Sequence, residues 1–284
     1  MTVAPGDAAP RRVFVDSDNA LGSASGDIDD GIALAVLLKS GLHVEAIASV
    51  FGNTSAEDGL RNNAALAELC GFTGPCLAGA SSPAAAMSEA AKQLADGSSD
   101  RTFLGLGPLT NVAQAMSLDT EVSRRFAELI CLGSNARSRG RWPPLWPFEY
   151  NFTKDRVAAV RVFESSARIT VVPLDQACRL RLRFSDLADI EGELGVYLRR
   201  HARRWFRRAG WLKLRSTVPV WDLVACMYLI RPELFSTQPR RALAHENGWI
   251  QYDAGERWVS VITGFDPRAV WSAAVTLLNR PSEC

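Results

Sequence analysis

Apolar runs suited to buried strands alternate along the chain with segments suited to helices. Five short apolar runs predict β-strands, at residues 13–16, 44–51, 102–106, 129–132 and 169–173. Between them, residues 55–70 predict a helix, because Ser55 and Asp58 resemble a capping box and apolar residues follow at helical spacing. Continuous apolar strands that alternate with helices are typical of a mainly parallel, doubly wound α/β sheet flanked by helices.

The pattern changes after Asp186, where it becomes largely helical. The arginine-rich stretch 199–215 predicts a solvated helix face rather than a nucleic-acid site. A small β-hairpin follows, in which residues 249–252 pair with 258–262, and a helix near 269–278 closes the chain. No internal repeat or low-complexity linker interrupts the sequence, so we predict a single domain over residues 1–284 with a flexible tail at 1–11.

Acidic residues crowd the junction between the first predicted strand and the helix after it. They are Asp16, Asp18, Asp27, Asp29 and Asp30. Helix capping and the helix dipole explain one or two acids at this place, but five exceed that need. The junction is also the usual ligand crevice of an open α/β sheet. Like charges this close repel unless a cation lies among them, and all-oxygen ligands favour calcium or magnesium over zinc.

Composition and charge narrow the classes of protein. With 47% hydrophobic and 22% charged residues, the chain can bury one large core as a globular protein. The net charge of +1 gives no overall field that attracts nucleic acid or an anionic membrane, so we expect neither partner. The six cysteines lack metal-binding spacing, and Cys131 and Cys226 lie in apolar runs, which is typical of core thiols in a reducing compartment. The chain has no segment like a signal peptide or a membrane span, so we expect a soluble, cytoplasmic protein.

Polar residues also follow the second and third predicted strands. Gly52 and Asn53 come after the second, and residues 107–111, Gly-Pro-Leu-Thr-Asn, come after the third. Glycines there allow a ligand to approach the backbone, and an asparagine offers a donor and an acceptor to a sugar hydroxyl. Asn53 by itself is equally well explained as a turn residue.

Two more polar groups stand further along the chain. Glu149 and Asn151 occupy alternate positions, so an extended segment would point both side chains the same way. Trp221 and Asp222 stand at the head of an apolar helix. Taken alone, Asp222 is explained by its favourable place at a helix N-terminus; the case for a site depends on all these groups together.

The order of these motifs resembles the nucleoside hydrolase family, the inosine-uridine-preferring and related purine-preferring ribohydrolases. The resemblance runs through most of the chain. It is carried by the acidic opening motif, by Gly52-Asn53, by residues 107–111, by Glu149-Tyr150-Asn151, and by Asp222 followed by Pro-Glu-Leu-Phe at 232–235. It implies a calcium-dependent enzyme that hydrolyses the N-glycosidic bond of a small nucleoside, assembled as a homodimer or homotetramer.

The resemblance also implies a role for each matching residue. The calcium ion would be bound by Asp18, Asp30, the main-chain carbonyl of Thr110, and Asp222. Asp18 would also be the general base, with Asp16 as its supporting acid. The ribose hydroxyls would be held by the remaining polar residues, Asp29, Asn53, Glu149 and Asn151.

The chain departs from the family pattern in its opening motif and its loops. Residues 19–28 lengthen the turn after Asp18, so Asp27 competes with Asp29 for the ribose contact. The loop 139–147 replaces a Gly-Asn of the family; Trp142 and Trp146 either line a pocket or pack this loop, and Asn135 is a candidate for the missing amide. The loop after Gly79 also differs from the family pattern, so a modified nucleobase is an alternative substrate.

The residue before the last metal acid departs as well. The inosine-uridine-preferring members have a histidine there that is thought to protonate the leaving base, whereas this chain has Trp221, as the purine-preferring branch has. An indole that stacks on a purine favours protonation of the base, so we predict that Trp221 is catalytic and that purines are preferred. The alternative is that Trp221 only packs.

Two other functions stay open at this point. Asp16-Ser17-Asp18 resembles the DxD motif of haloacid-dehalogenase-like phosphatases, in which Asp16 would be a nucleophile and magnesium the metal, but the downstream lysine and acidic pair are not convincingly placed. A non-catalytic nucleoside-binding protein would keep the pocket without the reaction.

Overall fold

The computed structural model of the chain describes residues 11–23, 26–97, 99–136, 149–211 and 217–281, and only the backbone of 208–211. Of the predicted tail 1–11, Arg11 alone falls within these ranges. Trp142 and Trp146 lie outside the described residues.

The strands and helices alternate along the chain, as the sequence predicts. The strands are β1 (Arg12–Ser17), β2 (His43–Ser49), β3 (Cys76–Leu77), β4 (Arg101–Gly105), β5 (Phe126–Leu132), β6 (Ile169–Val172), β7 (Arg181–Leu182), β8 (Val218–Pro219), β9 (Phe235–Ala244), β10 (Ile250–Tyr252) and β11 (Arg257–Phe265). The α-helices are α1 (Asp29–Leu38), α2 (Ala56–Leu69), α3 (Glu89–Asp96), α4 (Thr110–Leu118), α5 (Val122–Arg125), α6 (Asn151–Lys154), α7 (Arg156–Glu164), α8 (Leu174–Ala177), α9 (Gly192–Trp211), α10 (Trp221–Ile230) and α11 (Pro267–Leu278). Two 3-10 turns, Phe184–Asp189 and Pro232–Leu234, complete the described elements.

Nine strands form one sheet in the order β10-β9-β11-β6-β5-β4-β1-β2-β3. β1 is parallel to both β2 and β4, and the parallel pairing continues through β5 and β6 to β11. β9 runs antiparallel to both of its neighbours, β10 and β11, and these are the antiparallel pairs of this sheet as described. The predicted fold class, a mainly parallel α/β sheet flanked by helices, is therefore confirmed.

The sequence pattern locates each of the five predicted strands within a few residues, but it misses β9. Nine of the ten β9 residues are not buried, and the strand contains Pro239, Arg240 and Arg241, so no apolar alternation marks it. The predicted small hairpin is present toward the C-terminus, but its partners differ. Residues 249–252 and 258–262 do not pair with each other, because β9 lies between β10 and β11 and pairs with both.

The two faces of the sheet carry separate apolar cores. On one face α1 packs against α10 and α11, and on the other α3, α4 and α7 cover the sheet. From Asp29 to Leu37 every residue of α1 is buried, as expected for a helix enclosed on all sides. This packing fixes the N-terminus of α1 beside the ends of the central strands. Within the described segments, no helix has both the length and the apolar character needed to cross a bilayer.

Candidate active site

The acids meet beside β1, where the order of strands switches from one side of the sheet to the other. β2 and β3 lie on one side of β1, whereas β4 lies on the other. Parallel sheets bind ligands at such a switch point, outside the carboxyl ends of the strands. Asp16 is in β1, Asp18 directly follows it, and Leu106 follows β4 with its N–H donating to the Asp16 carbonyl at 2.8 Å.

Five of the acids are almost wholly removed from solvent. These are Asp16, Asp18, Asp29, Asp30 and Asp222, each no more than 3% exposed. Helix capping does not account for them. The N-cap residues of α1 and α10 are Ile28 and Val220, and neither helix has a side-chain cap.

Hydrogen bonds from four different segments orient the carboxylates. The Ser17 hydroxyl donates to Asp30 Oδ1 at 2.6 Å, and the Asn53 N–H donates to Asp18 Oδ2 at 2.7 Å. Asn111 Nδ2 donates to Asp16 Oδ1 at 2.9 Å, and the Trp221 N–H donates to Asp29 Oδ2 at 3.2 Å. The second oxygen of three of these acids, Asp16 Oδ2, Asp29 Oδ1 and Asp30 Oδ2, is buried without a partner among the described residues.

Burial and mutual repulsion make the charged cluster unfavourable on its own. Burial, and to a lesser extent the charge of Asp29, raises the pKa of Asp18 to about 7. Burial first, and then the charges of Asp18 and Asp29, raise the pKa of Asp30 well above its usual range. The pKa of Asp222 is raised by burial and then by Asp30, Asp29, Asp18 and Asp27. A cation among the acids would stabilise their ionised forms.

The geometry fits a hard divalent cation. Carboxylate oxygens of Asp27, Asp29 and Asp30 lie within 4.8 Å of one another, and ligands on opposite sides of a calcium ion stand about 4.6–5.2 Å apart. Each of these three acids has one buried oxygen that no described group satisfies. The predicted metal ligands are Asp18, Asp30, Thr110 and Asp222. Asp30 belongs to this group. Asp18 and Asp222 lie close enough to interact electrostatically with these acids, as the raised pKa values of Asp30 and Asp222 indicate.

A cavity of about 200 Å³ opens beside the acids. Its lining includes three acids, Asp27, Asp29 and Asp222, and two indoles, Trp205 and Trp221. The indole Nε1 of each tryptophan is buried without a hydrogen-bond partner in the described residues. A larger depression of about 980 Å³ beside α4, α5 and α7 contains none of these acids, so the smaller cavity is the candidate site.

Three of the four predicted ribose contacts line this cavity: Asp29, Asn53 and Asn151. Asn151 Nδ2 donates to the carbonyls of Leu106 and Leu132 at 2.7 and 3.1 Å. These bonds fix its side chain at the ends of β4 and β5 and leave Oδ1 as the atom available to a ligand.

Two further predicted contacts, Glu149 to the ribose and Thr110 to the metal, have structural bonds of their own. The Glu149 carboxylate accepts the N–H groups of Phe152 and Thr153 at 2.9 and 3.0 Å, and burial raises its pKa to about 7. Thr110 begins α4, and its hydroxyl donates to Asp155 at 2.6 Å. A ribose contact for Glu149 and a metal contact for the Thr110 carbonyl stay predictions, and Asn135 does not line the cavity as the described residues delimit it.

Trp205 and Tyr150 were not predicted as site residues. Trp205 lies in the arginine-rich stretch and belongs to α9, the helix in which Leu194, Leu198 and Ala202 are buried. The apolar positions at helical spacing were the signal that places Trp205 on the inner face of α9. Tyr150 lines the cavity, and its hydroxyl donates to the Gly52 carbonyl at 2.9 Å.

Comparisons with known proteins identify the family of the chain. Residues 13–272 match the sequence profile of the family described as inosine-uridine preferring nucleoside hydrolase. Uridine nucleosidase 1 of Arabidopsis thaliana is 28% identical over 250 residues, which are 74% of this chain and 73% of the relative. The non-specific ribonucleoside hydrolase RihC of Klebsiella pneumoniae is 34% identical over 140 residues, but the match covers 49% of this chain and 44% of that protein.

Solved structures share the fold over nearly the whole length. The plant nucleoside hydrolase PpNRh1 superposes with a TM-score of 0.82 at 20% identity, covering 96% of this chain and 100% of that one. A purine-preferring ribonucleoside hydrolase from Gardnerella vaginalis gives a TM-score of 0.80 at 18% identity, covering 94% and 98%. The family match extends from β1 into α11, so this chain belongs to the family of inosine-uridine preferring nucleoside hydrolases and is a ribonucleoside-hydrolysing enzyme.

Proposed function

We propose that this enzyme uses calcium to cleave the N-glycosidic bond of ribonucleosides and that it prefers purine nucleosides. The observation that carries the proposal is a single cavity whose lining combines incompletely satisfied carboxylates with two indoles. A nucleoside has matching groups, because its sugar carries hydroxyls and its base is a flat aromatic ring.

The sugar side contains a base for the attacking water. One oxygen of Asp18 is held by the Asn53 N–H at 2.7 Å. Burial raises the pKa of Asp18 to about 7 in the cation-free site, and a bound cation would favour the ionised form that accepts a proton. A general base contributes about 10²–10⁴ in rate. Cleavage of a glycosidic bond develops positive charge on the sugar, which oriented carboxylates such as Asp29 stabilise.

The donor set explains why a hard cation is part of the proposal. Asp18, Asp30, Asp222 and the Thr110 carbonyl would hold it, all through oxygen. When bound, such an ion neutralises the carboxylates and lowers the pKa of a coordinated water. Calcium rather than magnesium is proposed because clustered carboxylates suit the larger, less demanding coordination shell.

The base side favours a large aromatic ring. Trp221 is fixed at the start of α10, where its own N–H donates to Asp29, and Trp205 faces the same cavity. Stacking on an indole contributes about 0.5–1.5 kcal/mol beyond the area buried, and a purine offers more ring area than a pyrimidine. The Gardnerella vaginalis protein described as purine-preferring supports this choice, whereas the Arabidopsis relative described as a uridine nucleosidase makes pyrimidines a necessary comparison.

The test measures ribose released from inosine, adenosine, guanosine, uridine and cytidine, before and after calcium is removed with a chelator. We expect purine turnover to exceed pyrimidine turnover and chelation to abolish both, with recovery on adding calcium. Recovery by magnesium alone contradicts the choice of metal, and faster pyrimidine cleavage contradicts the choice of base. Phosphate release from phosphomonoesters would instead indicate a phosphohydrolase, and nucleoside binding without ribose release a non-catalytic relative.

Assembly and location form the last part of the proposal. We propose a homodimer or homotetramer, to be measured by light scattering on the purified chain. We place the enzyme in the cytoplasm, and the five cysteines of the described residues, which are free thiols, are consistent with a reducing compartment. A monomer in solution at working concentration would contradict the assembly.

A further inference from the structure

The long turn between β1 and α1 is held firmly to the rest of the molecule. Asn19 is fully buried, and its Nδ2 donates to Asn63 Oδ1 at 3.0 Å, while Asn62 Nδ2 donates to the Asn19 carbonyl at 2.8 Å. Leu21 packs over Gly31 so closely that a Cβ on Gly31 would lie 2.4 Å from Leu21 Cδ2. Asn19 and Leu21 therefore anchor the start of the turn to α2 and to α1, and Asp27 stands two residues before α1 begins.

The two oxygens of Asp27 face different neighbours. Oδ2 accepts from Asn53 Nδ2 at 3.2 Å, whereas Oδ1 is buried and has no partner among the described residues. Oxygens of Asp29 and Asp30 lie within 4.8 Å of an Asp27 oxygen and of each other. Asp29 and Asp30 are 3% and 0% exposed, and each also has one oxygen without a partner. Three neighbouring carboxylates thus bring an oxygen each within reach of one ion, and each has an oxygen that no described group satisfies.

We propose that Asp27 is an additional direct ligand of the divalent cation, bound through Oδ1, while its Oδ2 holds the carboxamide of Asn53. The inference rests on the proposed function for the presence of the cation, and it extends the ligand set to the lengthened turn. A further carboxylate in the ligand set tightens cation binding, because affinity at oxygen sites is set by ligand charge and site rigidity. The same side chain links the cation site to Asn53, which lines the nucleoside cavity.

Two other roles for Asp27 give different results. If Asp27 only orients Asn53, removing the Asn53 carboxamide has the same effect on the cation as removing the Asp27 charge. If Asp27 only contacts the ribose, its charge matters to nucleoside affinity and not to cation affinity in the absence of nucleoside.

The experiment measures calcium binding to the chelator-stripped full chain by titration calorimetry, without nucleoside. The variants are Asp27→Asn, Asn53→Ala and, as a matched control, Asp189→Asn, which changes an exposed acid away from the site. Asp27→Asn is expected to raise the calcium Kd at least about 10-fold, since even changes beyond the direct ligands cost about 10–100-fold. Asp189→Asn and Asn53→Ala are expected to stay within about twofold of the unmodified chain.

Each outcome decides the inference. An unchanged Kd in Asp27→Asn, an equal loss in Asn53→Ala, or no calcium binding by the unmodified chain overturns it. Circular dichroism shows whether Asp27→Asn is folded, and Asp27→Ser provides the same comparison if it is not. Ribose release is measured separately: an unmodified chain that binds calcium through Asp27 but releases no ribose overturns the proposed function alone, and one that releases ribose with an Asp27-independent Kd overturns this inference alone.

Discussion

Replacing Gly52 with alanine tests whether the position of the Asp18 carboxylate sets the reaction rate. Gly52 lies directly behind this carboxylate: a Cβ on Gly52 would stand 1.9 Å from Asp18 Oδ2 and 2.7 Å from its Cγ. Gly52 is the residue before Asn53, whose N–H holds the same oxygen at 2.7 Å. The added methyl therefore takes the space of the atom that we assign as the general base.

The size of the effect follows from these distances. Ordinary contact begins near 3.4 Å, so the carboxylate has to move by about 1.5 Å and leave its hydrogen bond to Asn53. A displacement of about 1 Å at a reacting group costs about 10² in rate. We therefore expect kcat/KM to fall about 100-fold, which corresponds to about 2.7 kcal/mol of lost transition-state stabilisation. The fold should persist, because the closest contacts of the added methyl all fall on a single side chain.

The assay is ribose release from inosine, together with thermal unfolding followed by circular dichroism. Gly59→Ala is the matched control: the nearest heavy atom to its Cβ is 3.6 Å away, and alanine within a helix such as α2 stabilises by about 0.5–1 kcal/mol relative to glycine. That variant should keep its activity and gain slightly in Tm. If Gly52→Ala keeps more than about a third of the unmodified turnover while folded, the placement of Asp18 as general base is refuted.

Three further predictions concern the acids and the indole. Asp18→Asn should lower kcat at least about 10²-fold with no loss of Tm, since it removes a buried charge, and near-normal turnover would remove Asp18 from the base role. For calcium-free protein, the pKa of Asp18, raised to about 7 by burial, means that the folded state retains a proton which the unfolded chain releases above about pH 4. The protonated Asp18 therefore contributes in full to the free energy of unfolding below about pH 4. This contribution is lost as pH rises through 7, and it falls by about 2 kcal/mol between pH 5.5 and 8. Chemical denaturation of the chelator-treated protein should show this fall in the free energy of unfolding. The Asp18→Asn variant should show a smaller fall, and added calcium should oppose it. An equal pH dependence of stability in Asp18→Asn contradicts the assignment. Trp221→Ala should lower kcat/KM about 10-fold for inosine and less for uridine, with Trp221→Phe in between; equal losses for both nucleosides would show that Trp221 only packs.

The sequence was sufficient to predict that the acids converge, because the ends of parallel strands meet at one edge of a sheet. Asp16 and Asp18 come at the end of a buried strand and Asp30 opens a buried helix, so their meeting follows from the order of elements. Asp222 was placed in the site by resemblance, since nothing in its local sequence distinguishes it from an ordinary acid in the first turn of a helix.

Other features could not be predicted, each for its own physical reason. β9 is mostly exposed, so the burial that makes strands visible as apolar alternation is missing from it. Trp205 was not recognised because it is surrounded in the sequence by arginines that lie on the outer face of α9. The direction of Asp27 depends on how the turn 19–28 folds against α1 and α2, which is a matter of tertiary contacts rather than of local pattern.

The hydrogen bonds of the site favour a preorganised arrangement over one assembled by the cation. Without a cation, six neighbouring carboxylates should repel one another and separate. Instead, Ser17, Asn53, Asn111 and the Trp221 backbone each hold one oxygen of a different acid. These donors come from β1, from the turn after β2, from α4 and from α10, so the packing of the sheet and its helices determines their positions. Because each donor satisfies only one oxygen and leaves another unsatisfied in three of the four acids, the fold fixes the geometry of the acids while it leaves their charge uncompensated. An ion that enters such a site gains attraction without reorganising the protein, which is the condition under which electrostatic groups are most effective in catalysis.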